Sequence, residues 1–210
     1  MTNLTSKLWI TEKFICFDSN KENLVSSILP KIYRCDAFKT KIGTQNISFY
    51  DFCKINTFAR DVIFREITVK NDDGTNVAFE KLVEALPKVT SLNFKPRNAI
   101  LNTTSKTIKE LLKIPHFSKL KYLYLRNIPE TFDLDAFYGY MKKNNFVAFY
   151  LEFDDSISNA YQTRLEEIID EIIATKELDF HAPLIMFDGL EAGKFIKLWC
   201  LYIKFVRIEK

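Results

Sequence analysis

An α/β fold, in which strands and helices alternate so that a parallel sheet forms one side and helices the other, is predicted by three observations. First, a strand-like pattern recurs as Ser91-Leu92-Asn93-Phe94, Tyr122-Leu123-Tyr124-Leu125 and Ala148-Phe149-Tyr150-Leu151. In each copy two apolar side chains stand two residues apart, the alternation of a strand that buries one face. Second, the residues between such copies read as amphipathic helices, three of them closed by a proline that cannot continue a helix: Pro30, Pro87 and Pro115. Third, only 5 glycines occur and no G-x-G-x-x-G, Walker or G-x-S-x-G pattern is present, so phosphate-cradling and nucleophile-elbow versions of an α/β fold lose their scaffold. The same alternation could build a doubly wound sheet with helices on both faces; helices confined to one side would distinguish the two.

Taking the second apolar residue of each strand as a marker, the series runs Phe17, Ile42, Val69, Phe94, Leu125, Leu151 and Phe187. Successive markers fall about 25 to 31 residues apart, with a longer last gap, which is the signature of stacked units. Residues 22–29 offer Leu24, Val25, Ile28 and Leu29 at helical spacing; residues 48–58 offer Phe49, Phe52 and Ile55. Residues 78–86 present Phe79, Leu82, Val83 and Leu86, and residues 105–114 present Ile108, Leu111 and Leu112. Residues 133–144 follow with Leu134, Phe137, Tyr138 and Met141, and Asp133 is placed as the N-cap. Residues 160–174 give the clearest helix, with Leu165, Ile168, Ile169 and Ile172 on one face and Glu166, Glu167, Asp170 and Glu171 on the other. Residues 191–206 are apolar on most sides and fit a helix or a long final strand; a helix is preferred, as part of a terminal capping element over residues 183–210. The whole, residues 1–210, reads as a single domain.

Composition is that of a globular chain, with 47% hydrophobic and 27% charged residues. The 19 phenylalanines point to an aromatic-rich core. A net charge of +3 is too small to imply a nucleic-acid or membrane surface. Lys7, Glu12, Lys13 and Asp18 interrupt any apolar h-region of a secretory signal, and no window approaches a membrane span. Cys16, Cys35, Cys53 and Cys200 form no C-x-x-C pair and read as reduced, mostly buried cysteines outside any disulfide. The expected compartment is intracellular, cytoplasmic or nuclear. His116 and His181 lack a second ligand at helical spacing, and the adjacent Asp154 and Asp155 read as a turn, so no catalytic, metal or cofactor site is expected.

What the repeat does supply is a surface. In a stacked parallel sheet the residues flanking each buried pair line up across neighbours. Those positions are Lys41, Glu66, Thr68, Lys70, Asn93, Lys95, Tyr122, Tyr124, Arg126, Tyr150 and Glu152. The candidate partner-binding set is Thr68, Lys70, Asn93, Lys95, Tyr122, Tyr124, Arg126, Tyr150 and Glu152. Tyr and Arg are enriched among residues that dominate binding energy. Base stacking on the tyrosines lacks a dense basic surround.

The run from Ser27-Ile28-Leu29-Pro30-Lys31-Ile32-Tyr33-Arg34-Cys35-Asp36-Ala37, then Gln45-Asn46-Ile47-Ser48-Phe49, and later Leu86-Pro87-Lys88-Val89-Thr90-Ser91-Leu92 resembles divergent leucine-rich segments of nematode F-box-type proteins. That resemblance implies an irregular leucine-rich-repeat-like array and a part in substrate recognition for an SCF-type ubiquitin ligase; no F-box is legible ahead of the first unit. The expected function is a non-enzymatic protein-binding module whose partner is a protein ligand, with a ubiquitination substrate as the case the resemblance implies. A compact α/β enzyme with a loop-built site, or a vestigial fragment of a longer family member, are the alternatives.

Overall fold

The computed structural model describes residues 7–17, 21–97 and 101–208, with side chains up to residue 204. Its strands and helices alternate and its paired strands are parallel, so the α/β prediction holds. The chain divides into two compact units, Met1–Asn102 and Thr103–Lys210, where the sequence reads as one domain. Among the described residues no helix is long and apolar enough to cross a membrane.

In the first unit the elements are β1 (Leu8–Ile10), β2 (Lys13–Phe17), α1 (Leu24–Ile28), β3 (Ile32–Cys35), β4 (Lys39–Gly43), β5 (Asn46–Ser48), α2 (Phe49–Asn56), β6 (Asp61–Lys70), α3 (Phe79–Glu84) and β7 (Ser91–Pro96). The main sheet runs β7-β6-β4-β2, with β5 beside the far end of β6, while β1 and β3 pair separately. Register places Cys16, Ile42, Phe64 and Phe94 side by side, all buried beneath the helices. Phe52 of α2 meets Phe64 at 5.2 Å, and Phe79 of α3 meets Phe94 at 5.6 Å. The aromatic core expected from composition is therefore real.

Two strand markers need correcting. Phe17 is 50% exposed, because Phe14 and Cys16 are the inward pair of β2. Both phases of Phe-Ile-Cys-Phe are apolar, so alternation alone could not choose between them. Val69 is buried but lies beyond a bend in β6, and the true neighbour of Ile42 is Phe64. The bend sits at Glu66, whose φ is +56°, and the pairing register with β7 shifts there. Thr44, after β4, has φ +56° as well. A left-handed residue inserts one step into the alternation, so the buried side passes from Phe64 to Ile67 and from Ile42 to Gln45.

In the second unit the elements are α4 (Thr107–Leu111), β8 (Tyr122–Ile128), α5 (Leu134–Lys143), β9 (Ala148–Phe153), α6 (Asn159–Ala174), β10 (Leu184–Met186) and α7 (Ala192–Ile208). Its strands lie in the order β10-β9-β8. Asn127, at φ +53°, bends β8 as Glu66 bends β6, carrying the buried side from Leu125 to Ile128. Asp133 does cap α5, accepting from the Ala136 N–H at 3.0 Å, and Ser158 caps α6. The last marker also moves: Ile185, not Phe187, stands beside Leu151. Phe137 of α5 packs edge-on against Phe149 at 5.3 Å, and Lys142 of α5 pairs with Glu171 of α6, so both helices cover the Phe149/Leu151 side. The final run is a helix, as preferred. It departs from one-sided packing: Lys194 pairs with Glu166 and Asp170 of α6, while Tyr202 reaches Tyr124 on the opposite side of the strands.

Candidate functional site

The side of each sheet away from α2, α3, α5 and α6 is built by register. In the second unit Tyr124 stands directly beside Tyr150, and Tyr122 beside Ala148. The rings of Tyr122 and Tyr124 stack at 6.4 Å and those of Tyr124 and Tyr150 meet at 5.6 Å. Arg126 lies over the Tyr150 ring at 5.5 Å and pairs with Glu152 at 3.5 Å. Tyr150 Oη donates to Glu152 Oε2 at 3.3 Å and lies 3.1 Å from Met186 Sδ. The five positions singled out in this unit are thus one half-buried cluster.

What the sequence did not show is a sixth member. Tyr202 of α7 donates its phenol proton to Tyr124 Oη at 3.3 Å and is itself buried. Burial, followed by the hydrogen bond to Tyr124, pushes the Tyr202 phenol well above its ordinary range. The Tyr150 phenol is also raised, by burial first and the Glu152 carboxylate second. The Tyr150 and Tyr202 phenols are therefore neutral donors at physiological pH. The apolar run that became α7 gave no signal of which of its faces would meet the strands.

In the first unit the structure regroups the remaining candidates. Asn93 and Lys95 stand beside Ile63 and Arg65, whereas Thr68 and Lys70 lie past the Glu66 bend, opposite Asn46 and Ser48 of β5. Thr68 and Lys70 therefore do not join the row of Asn93 and Lys95. Lys41 does, through Ile63, and Ile15 of β2 extends the row. Ile63 and Arg65 were missed because the bend was not legible, glutamate not being a residue that announces a left-handed conformation, and Ile15 and Phe17 because both phases of β2 are apolar.

An open cleft of about 360 Å³ in the second unit is lined by Asn127, Glu152, Asp154, Asp155, Met186 and Asp188 among others, at the carboxyl ends of the strands. Asp154 is spent on a turn, accepting from the Ser156 N–H at 3.0 Å. Among the described residues no three of His, Cys, Asp and Glu are gathered as a metal site. Cys16 and Cys35 are buried, Cys53 is half-buried and Cys200 exposed; burial raises the Cys35 and Cys53 thiols, which works against thiolate chemistry. His116 and His181 are both half-exposed loop residues. No family model, no curated protein and no solved structure matches the chain.

Proposed function

We propose that this chain is a non-enzymatic protein-binding module acting inside the cell, in the cytoplasm or nucleus, and that it holds a protein ligand on the strand sides of its two units. The observation that carries this reading is the cluster of Tyr122, Tyr124, Tyr150 and Arg126, half-buried and preorganised by ring stacking and by Glu152. Such side chains supply large contact area and directional hydrogen bonds at low entropic cost, because their neighbours already fix their rotamers. The leucine-rich-repeat-like character of the array and its resemblance to F-box-type proteins extend the proposal to a substrate receptor for an SCF-type ligase.

The test is affinity capture from native extract with two matched variants. Tyr122→Ala with Arg126→Ala should lose the recovered proteins, since both residues face away from the covering helices α5 and α6. Lys109→Ala with Lys113→Ala, on and just after α4, should retain them. Equal recovery by both variants would remove the tyrosine side from the proposal. A cullin-ligase adaptor among the recovered proteins supports the ligase role, and its absence from a reproducible set refutes that role while leaving the binding module.

A further inference from the structure

The strand side of the first unit has a chemistry unlike that of the tyrosine cluster. Parallel register lays it out as three rows across β2, β4, β6 and β7: Lys13, Lys39, Asp61 and Ser91; then Ile15, Lys41, Ile63 and Asn93; then Phe17, Gly43, Arg65 and Lys95. Five cations and one carboxylate share this surface, and the carboxylate of Asp61 is taken by Lys39. Among the described residues Lys13, Lys41, Arg65 and Lys95 take part in no ion pair. Apolar groups stand between them: Ile15 is 57% and Phe17 50% exposed. Gly43 matters here, because a Cβ at that position would lie 2.2 Å from Phe17 Cδ1, so the missing side chain lets the Phe17 ring lie across β4.

From this arrangement we infer that the first unit binds an acidic protein segment in which carboxylates alternate with aliphatic or aromatic side chains. This rests on the protein-binding reading and names the partner's chemistry. Four cations that take part in no ion pair among the described residues create a positive potential on this patch, which attracts and orients a polyanionic ligand. Isoleucines and a phenylalanine among those cations ask for apolar side chains between the ligand's charges, since exposed apolar area gains only when covered. The rows lie about 6.6 Å apart, two residues along a strand, which is also the side-chain repeat of an extended ligand. Nucleic acid fits less well: sequence-tolerant strand binding needs successive aromatic platforms, and this patch has one ring beside two aliphatic chains. A second copy of this chain is also disfavoured, because the acidic face of α6 is already engaged, Glu166 and Asp170 by Lys194, Glu167 by Arg164 and Glu171 by Lys142.

The probe is a fluorescently labelled seven-residue peptide alternating Glu and Leu, compared with its Gln/Leu counterpart and with an oligothymidylate, on the full chain. The Glu/Leu peptide should bind at least about tenfold more tightly than the Gln/Leu peptide and weaken as salt rises. Lys41→Ala with Arg65→Ala should weaken it about tenfold or more, while Lys54→Ala with Lys81→Ala, on helices α2 and α3, should leave it unchanged. Amide-shift mapping on the wild-type protein should place the peptide on β2, β4 and β6, a readout that needs no variant to fold. Equal affinity for the two peptides, tighter binding of the oligonucleotide, mapping to another surface, or a concentration-dependent dimer dissolved by the Lys41/Arg65 variant would each overturn the inference. If it fails while the Tyr122/Arg126 variant still loses its captured proteins, the acidic-segment assignment falls and the binding module stands.

Discussion

Glu66 carries a backbone conformation that its side chain does not favour. At φ +56° the Cβ of an L-residue crowds the following carbonyl, at a cost of about 1–2 kcal/mol, and glutamate lacks the short polar group with which asparagine offsets it. Asn127 occupies the corresponding bend of β8, where the residue type suits the geometry better. The bend matters because it re-phases β6, aiming Ile63 and Arg65 at the open side and Ile67 and Val69 inward. Replacing Glu66 by valine, which is stiff at χ1 and resists φ above zero, should cost about 1–2 kcal/mol in urea unfolding. Glu66→Gly should be neutral to slightly stabilising, since relief of the strain is only partly offset by about 0.5–1 kcal/mol of added chain entropy. Equal destabilisation by valine and glycine would mean that the Glu66 side chain, and not its backbone, is what the fold requires.

At the scale of elements, what the sequence made legible was periodicity and punctuation. The ends of α3 and α4 ahead of Pro87 and Pro115, the Asp133 cap and the inward residues of α5 and α6 were readable because each is a local choice with a local cause, whereas Pro30 sits inside a 3-10 turn, Leu29–Lys31, that follows α1 directly. What it hid were features set by a distant partner. The strand pair β1 and β3 escaped because each is short and interrupted by exposed Trp9, Tyr33 and Arg34. Gln45 is a second case: although polar, it is wholly buried, accepts from the Val25 N–H at 3.1 Å and donates to the Lys21 carbonyl at 2.7 Å. Helix α1 has no side-chain cap of its own, so Gln45, twenty residues on from Val25, satisfies one of its first-turn amides. Gln45→Leu keeps the volume and strands those groups; a buried unpaired polar group costs about 1–3 kcal/mol. Stability should fall by that amount, and amide exchange at Val25 should accelerate selectively. A variant as stable as the parent would show that water replaces both bonds.

At the scale of the whole molecule, the two units differ in what their aromatic residues do. In the second unit Tyr138, Tyr140, Tyr150, Tyr161 and Tyr202 all have phenols raised above their ordinary value, with burial as the leading cause in every case. The consequence follows from proton linkage. A phenol whose folded pKa lies above its unfolded one keeps its proton in the native state after the unfolded chain has released it, so its contribution is complete below about pH 10 and declines as pH rises further. Five such groups in one unit make alkaline unfolding of that unit steep. The two tryptophans report it separately, because Trp9 belongs to the first unit and Trp199 to the second, where its ring lies 6.0 Å from that of Tyr202. In a Trp9→Phe chain, the denaturant midpoint read from Trp199 should be flat between pH 8 and 9.5 and fall progressively above pH 10. Tyr202→Phe, which cannot ionise, should blunt that fall while lowering stability at neutral pH through loss of the bond to Tyr124. A midpoint that stays level to pH 12 would remove the alkaline sensitivity, and the same fall with Tyr202→Phe would place it elsewhere; either would loosen the case that α7 is held to the tyrosine side by Tyr202.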